Sequence, residues 1–233
     1  MRCASFRMTG GAASFAEEFK LPKNLPKHAH MIKQHRQTFF LLSFTMIFIG
    51  YLMVWLPGPS AGLQFLGIEM GEWTKFFGLG VKRNWFYLPP LTLAFMMLFF
   101  TAGWENGRFK TWLFRGVAVA ISLLAFPALE DLTGPSQSEY LSRVVGIGLV
   151  VVVAGLLLLF GGQKRPWLPT VGWGLMAAAG LVGLILPTLI YGEVRPYASE
   201  LIGVTLGYGP GFWLNLLGHA AVVGLAGTQL AKK

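Results

Sequence analysis

Six long runs of apolar residues constrain this chain more than any other feature of its sequence. A helix needs about 20 mainly apolar residues to cross the roughly 30 Å hydrocarbon layer of a membrane, and each run approaches that length. Backbone groups in lipid must be hydrogen-bonded within their own segment, so the runs predict helices. They cover residues 38–56, 85–103, 112–129, 144–160, 171–191 and 212–230.

The composition agrees with a membrane protein. Of the 233 residues, 54% are hydrophobic and only 12% are charged, whereas soluble domains carry about 25% charged residues. This excludes a soluble enzyme and a disordered chain, and a single cysteine, Cys3, excludes an intramolecular disulfide. We therefore expect an all-α, polytopic integral membrane protein, with a basic cytoplasmic tail at 1–37 and a six-helix transmembrane domain at 38–233.

The distribution of Lys and Arg predicts the orientation, because these residues are enriched in cytoplasmic segments. With six spans and a cytoplasmic N-terminus, 14 of the 19 basic residues fall on the cytoplasmic side and five on the other. Both termini are then cytoplasmic. The basic residues are dispersed over tails and short loops rather than gathered on one face, so a nucleic-acid partner is not expected.

A threefold pattern suggests that the spans form three hairpins, at about 38–103, 112–160 and 171–230. A proline lies at or near the outer end of each outward run, just after the first run and within the last residues of the other two, and we expect it to stop or kink the helix there. The outer loop after each proline carries a Glu and then a Gly-x-Gly, and this predicts an internal repeat. The three sets are Pro57 with Glu72, Gly78 and Gly80; Pro127 with Glu139, Gly146 and Gly148; and Pro187 with Glu200, Gly207 and Gly209.

The packing surfaces also differ between runs. Small residues at spacings of three and four in the last two spans predict close helix packing, on each other or on another subunit. The Phe and Met run 95–100 and the Val and Leu run of the fourth span suit lipid, pigment or a partner surface instead. The segment 60–77 is too apolar for a solvated loop, which predicts a short interfacial helix.

His219 is the one ionisable side chain at membrane depth in these runs, and Asn215 lies one turn before it on the same face. One interpretation is an axial ligand to a haem or a chlorophyll-type pigment, with small neighbours leaving space for a flat macrocycle. The favoured interpretation is a neutral histidine that packs against Asn215 or another helix. A substrate contact is a third possibility.

The three outer acids, Glu72, Glu139 and Glu200, recur once in each predicted hairpin. A ring of three carboxylates could attract a cation or a basic partner. Local pairing with Lys75, Arg143 or Arg195 is the ordinary alternative.

No charged residue occupies the centre of a run, and the sequence carries no enzyme motif, which disfavours a proton pump, a voltage sensor and an enzyme. We therefore predict a non-catalytic membrane subunit that scaffolds or stabilises a larger complex, with photosynthetic and respiratory assemblies as candidates. The expected location is a bacterial inner membrane or an equivalent energy-converting membrane. The alternative is a stand-alone carrier or channel for a small or lipophilic solute.

Overall fold

A computed structural model of the chain describes residues 27–134, 137–161 and 167–232. The contacts divide the chain into Met1–Thr38 and a compact unit, Phe39–Lys233, which contains every site discussed below. Residues 1–26 of the basic tail lie outside the described residues. The helices are α1 (Lys27–Leu52), α2 (Gly67–Trp73), α3 (Leu88–Phe100), α4 (Phe109–Ser122), α5 (Leu129–Thr133), α6 (Gln137–Phe160), α7 (Leu168–Ile202) and α8 (Pro210–Leu230).

The predicted all-α fold is confirmed, and three helices support a membrane location. Among the described residues, α6, α7 and α8 combine the length and hydropathy that a membrane crossing needs. The helices α3 and α4 have 13 and 14 residues, fewer than the about 20 that one continuous crossing helix requires.

Helix α3 lies inside the unit and packs against α7, α4 and α6. Its sequence is apolar around the whole circumference, which is typical of a helix surrounded by protein. The interpretation of the run 95–100 as a lipid-facing or partner-facing surface is therefore wrong, because Met96, Met97, Leu98 and Phe100 are buried.

Helix α6 is covered on one side only. It packs on α3 and α4, and Ile147, Val150 and Ala154 are buried on that side. The exposed side agrees with the surface expected for this Val and Leu run, and it includes Leu149, Val151, Val152, Leu156 and Leu159.

The segment between α1 and α3, residues 54–87, is folded back on the helices rather than extended, and we call it the 54–87 connection. It begins with a short antiparallel pair of strands, β1 (Val54–Leu56) and β2 (Phe65–Leu66). Helix α2 follows, so the short helix expected within 60–77 is present. The 3-10 helices Thr74–Phe77 and Gly80–Tyr87 complete the segment and lead directly into α3.

Trp55 attaches the 54–87 connection to the long helices. Its ring is buried against the rings of Tyr191 and Phe212, with centroids 6.1 and 5.7 Å away. The Tyr191 hydroxyl donates a hydrogen bond of 2.8 Å to the Trp55 carbonyl oxygen. The backbone N–H of Gly209 donates to the same oxygen at 2.7 Å. The start of the connection is therefore held by α7 and by the segment that begins α8.

The three prolines of the proposed repeat occupy three different local structures. Pro57 follows β1, five residues after α1 has ended, and Pro127 follows a 3-10 turn at Leu123–Ala125. Pro187 lies inside α7, which continues to Ile202, so Pro187 does not stop its helix. The paired glycines differ as well: Gly78 and Gly80 have left-handed backbones, whereas Gly146 and Gly148 lie within α6. These differences give the internal repeat no support.

Close packing of the last two helices is confirmed. A Cβ atom at Gly180 would lie 2.8 Å from Val223 Cγ2, and one at Gly183 would lie 2.3 Å from His219 Nε2. Gly218 on α8 instead faces Ile47 of α1, where the corresponding distance is 2.7 Å. The glycines thus allow the α7 and α1 backbones to approach α8 from two sides.

Replacing Gly183 by alanine is predicted to destabilise the fold. In an exposed helix interior, alanine is more favourable than glycine by about 1 kcal/mol. At position 183, however, the new methyl group overlaps His219 and Thr92, and overpacking of this kind costs about 1–3 kcal/mol. Thermal unfolding of the purified protein in mild detergent measures the loss. Gly174→Ala is the control, since no atom lies within 4 Å of that Cβ position; equal melting temperatures for the two variants would contradict the packing.

Candidate functional site

The buried guanidinium groups of the described residues bind partners at helix ends, although Arg115 itself stands in the middle of α4, and the largest set of partners surrounds Arg143. This residue stands in the second turn of α6 and is only 2% exposed. In the six-run assignment it lies between the runs 112–129 and 144–160, in an outer loop. Since a buried charge requires compensation, its neighbours indicate what this end of the unit is built to do.

The guanidinium of Arg143 has partners from two other segments. Nη1 and Nη2 donate to Glu72 Oε1 at 3.0 and 3.1 Å, and Nε donates to Asn84 Oδ1 at 2.8 Å. The Cζ atom lies 3.6 Å from the centroid of the Tyr87 ring. Three kinds of interaction therefore stabilise one positive charge: an ion pair, a hydrogen bond to a neutral amide oxygen and a cation–π contact.

Glu72 is also bound by tyrosine. The Tyr87 hydroxyl donates a 2.6 Å hydrogen bond to the Oε1 atom that Arg143 contacts. Partial burial by itself would raise the pKa of Glu72, but the hydrogen bond from Tyr87 and the charge of Arg143 outweigh it and lower the pKa below its ordinary value. The carboxylate is therefore held ionised.

A second ion pair adjoins the first. Arg83 is almost fully buried, and its Nη2 donates to Glu139 Oε2 at 3.0 Å. The ring of Tyr140 lies between the two cations, 4.7 Å from Arg83 Cζ and 4.9 Å from Arg143 Cζ. Together with Glu72, Asn84 and Tyr87, these residues form what we call the arginine network.

The network joins α6 to the 54–87 connection. Its members come from α2, from the 3-10 helix Gly80–Tyr87 and from the first turns of α6. Two arginines balance two glutamates, and both carboxylates already accept charged hydrogen bonds. These ion pairs can hold the connection against α6. A carboxylate that already accepts hydrogen bonds from an arginine is poorly suited to act as a proton acceptor or a nucleophile.

Sequence reasoning missed Arg83, Asn84, Tyr87 and Tyr140 as members of a site. One signal was present: Glu139 and Arg143 are four residues apart at the start of a long apolar run, so the two charges lie on one helix face. The structure pairs them with Arg83 and Glu72 instead of with each other. The true partners are 56 and 71 residues away in the chain, a separation that no local pattern reveals.

The predicted acidic ring is only partly assembled in the described contacts. Glu72 and Glu139 both belong to the arginine network. Glu200 is exposed in the last turn of α7 and does not join that network among the described residues. The local pairing expected from sequence is not what these two acids adopt, because Glu72 pairs with Arg143 and Glu139 pairs with Arg83. Glu193 on α7 pairs with Lys82 at 3.1 Å.

His219 and Asn215 lie together on α8, away from the arginine network. His219 is fully buried, its Nδ1 lies 2.9 Å from the backbone oxygen of Asn215, and its Nε2 lies 3.1 Å from Thr92 Oγ1 on α3. The Asn215 side chain donates to the Ile47 carbonyl oxygen of α1 at 3.4 Å. Both ring nitrogens are occupied by protein groups, and these contacts join α8 to α1 and α3.

A macrocycle does not fit at His219. The backbone of Gly183 lies so close that a Cβ there would be 2.3 Å from both Nε2 and Thr92 Oγ1. Haem or chlorophyll-type ligation needs a free ring nitrogen with an open space in front of it. The residues present supply neither, and the geometry is that of interhelical packing.

Arg115 is a third buried arginine, in a separate network formed by α3, α4 and α6. It donates to the side chains of Thr101 and Asn106, at 3.1 and 2.9 Å, and to the Leu157 carbonyl oxygen at 3.1 Å. Thr101 caps the C-terminus of α3, and Leu157 lies in the last turn of α6. A cation placed at two helix C-termini interacts favourably with the last carbonyl groups and with the negative ends of the helix dipoles.

Two cavities lie on the 54–87 connection. The first, which we call the polar pocket, has a volume of about 390 Å³ and is lined by Lys75, Gly78, Gly80, Arg83, Glu139 and Tyr140. The second, the apolar groove, has a volume of about 270 Å³ and lies between the connection and the last turns of α7. Its lining includes Leu63, Phe65, Trp73, Phe76, Leu201 and Ile202.

Comparison with known proteins does not assign the arrangement. Neither a protein-family model, nor a curated protein, nor a solved structure matches this chain. The interpretation of the site therefore rests on its own geometry.

Replacing Arg143 by methionine is predicted to destabilise the protein. The change removes the only donor to Asn84 Oδ1 described above and leaves Glu72 with the Tyr87 hydroxyl alone, and breaking a buried ion pair costs about 3–5 kcal/mol. The half-exposed carboxylate of Glu72 makes this an upper bound. The control is Lys82→Met, whose ion pair with Glu193 is exposed on both sides and contributes about 0–1 kcal/mol. Thermal unfolding of both variants is the measurement, and a loss no larger than that of the control would refute the role of Arg143.

The low pKa of Glu72 predicts acid sensitivity. Because the folded pKa lies below the ordinary value near 4.5, the ionised carboxylate contributes stability above that pH. The contribution is lost as the pH falls from about 4.5 through the folded pKa. Melting temperatures of wild type and Glu72→Gln should therefore differ at neutral pH and converge in acid. A difference between the two proteins that does not change with pH would contradict this assignment.

Proposed function

We propose that this chain is a six-span integral membrane protein that serves as a non-catalytic subunit of a larger membrane complex. Its task in that complex is to scaffold and stabilise other membrane subunits. The proposed location is a bacterial inner membrane or an equivalent energy-converting membrane, with lipid and other membrane subunits as its partners.

Helix lengths support the six-span arrangement. At about 2.0 and 1.5 Å rise per residue, residues 85–87 of the 3-10 helix Gly80–Tyr87 and α3 extend roughly 26 Å together. On the same basis α4 and the 3-10 turn Leu123–Ala125 extend roughly 27 Å. Both lengths are close to the thickness of the hydrocarbon layer, which is about 30 Å. With α1, α6, α7 and α8 these lengths support six crossings, and an even number of crossings agrees with the cytoplasmic termini that the Lys and Arg distribution predicts.

The observation that carries the subunit function is the exposed side of α6. Residues at alternating spacings of four and three form one stripe along the helix, which is the spacing that brings side chains of two helices together. Two glycines interrupt the stripe, and a Cβ at either would meet no atom within 4 Å. No contact within the described chain requires these glycines. The stripe consists of Leu141, Val145, Gly148, Val152, Gly155 and Leu159.

Glycines on an apolar helix surface allow a neighbouring backbone to approach closely, and dispersion and lipid release then favour association. Among the described residues, the buried guanidinium groups of Arg83, Arg115 and Arg143 each bind side chains or carbonyl groups of this chain. The surface that remains for assembly is therefore apolar, and the α6 stripe is its most regular part.

The test is the mass of the assembly extracted in native lipid particles from its own membrane. The wild-type chain should be recovered in a complex with other defined membrane subunits, and Gly148→Leu and Gly155→Leu should release it while its melting temperature is unchanged. Gly224→Leu is the matched control, because that glycine also faces open space, but on α8. Recovery of the wild-type chain alone, or equal release by all three variants, would refute the proposal.

A further inference from the structure

We propose that the polar pocket and the apolar groove bind one anionic phospholipid, with the headgroup phosphate in the pocket and an acyl chain in the groove. The site is separate from the α6 stripe and goes beyond the subunit function. Its occupant follows from the charge of the pocket, the shape of its wall and the position of the groove.

The polar pocket carries an excess of positive charge. Of its charged residues, Arg83 is neutralised by Glu139 at 3.0 Å. Lys75 has no carboxylate within ion-pair distance among the described residues, and its Nζ lies 5.2 Å from the centroid of the Phe76 ring. The charge of Lys75 is thus available to an anion, and a phosphate is the anion that a lipid headgroup supplies.

Arg83 has hydrogen-bonding capacity that the protein does not use. Its Nε is buried and has no acceptor among the described residues. A guanidinium carries five N–H donors in a planar fork that matches phosphate oxygens. Arg83 therefore offers N–H donors with a geometry suited to phosphate oxygens, while the unpaired charge comes from Lys75.

The wall of the pocket is shaped by two glycines. Gly78 and Gly80 have φ values of 68° and 52°, a left-handed backbone conformation that residues other than glycine rarely adopt. Their Cβ positions meet no atom within 4 Å. The backbone between the two 3-10 helices is therefore exposed to the pocket, and a headgroup can approach it closely.

The apolar groove adjoins the polar pocket along the chain, because the residues on both sides of Lys75 line the groove. Lys75 lines the pocket, whereas Phe76 and Phe77 line the groove, so the 3-10 helix Thr74–Phe77 separates a cationic site from an apolar one. Phe76 and Leu201 are 72% and 76% exposed, and Trp73 is half exposed. Apolar and aromatic surface beside a cation is the chemistry of a membrane interface. A free phosphate would use the pocket alone, whereas a phospholipid uses both sites.

The test is a lipid titration of the delipidated full-length protein in detergent, followed by native mass spectrometry. Dioleoyl phosphatidylglycerol, an anionic lipid, should bind about fivefold more tightly than zwitterionic dioleoyl phosphatidylcholine, as expected for one additional basic contact. Lys75→Ala should remove most of that preference. Lys110→Ala is the matched control, because it removes an equally exposed lysine outside the two cavities, and it should leave the preference intact.

Two further arms identify the source of the phosphate. Phe76→Ser should weaken binding of both lipids, while Phe109→Ser, at a residue with 78% exposure outside the groove, should not. Millimolar inorganic phosphate should fail to displace phosphatidylglycerol. The proposal is overturned by equal affinities for the two lipids, by equal effects of the two lysine variants or of the two phenylalanine variants, or by displacement with inorganic phosphate.

Discussion

The burial of Arg143 is the constraint on which this end of the fold depends. Removing a guanidinium from water costs several kcal/mol unless its charge and donors are satisfied. Glu72, Asn84 and the ring of Tyr87 meet that requirement, and all three belong to the 54–87 connection. The connection must therefore lie against the first turns of α6. The polar pocket and the apolar groove exist because the connection is held there, since their walls are built largely from its residues.

The distribution of polar groups follows one rule along the helices. The arginine network and the Arg115 network contain the buried charges described above, and each lies at helix ends. Between these ends, the described polar contacts near mid-helix are neutral: His219, Asn215 and Thr92 satisfy one another and nearby carbonyl groups. Charges at helix ends and neutral contacts between them suit a protein whose middle lies in hydrocarbon, where an unpaired charge is expensive.

The unit presents two kinds of surface to its surroundings. Helix α6 exposes a regular apolar stripe with two open glycines, which suits a neighbouring helix. The 54–87 connection exposes aromatic side chains beside Lys75, which suits an amphiphile with an anionic headgroup. A membrane subunit uses both kinds of contact, because lipids bound at its periphery share the interface with protein partners. The two surfaces involve different residues and can be tested separately.

The sequence by itself determined the helical class and the apolar segments, because length and hydropathy are local properties. It also predicted close packing of the last two helices, since small residues at spacings of three and four mark one helix face. Local patterns did not determine how far Pro187 interrupts its helix, or that the run 95–100 faces protein rather than lipid. The sequence pattern of an apolar side chain is the same whether the side chain contacts lipid or protein. Only the tertiary structure decided which charges meet, because Glu72 and Arg143 are 71 residues apart in the chain, and the free energy of an ion pair depends on distance in space.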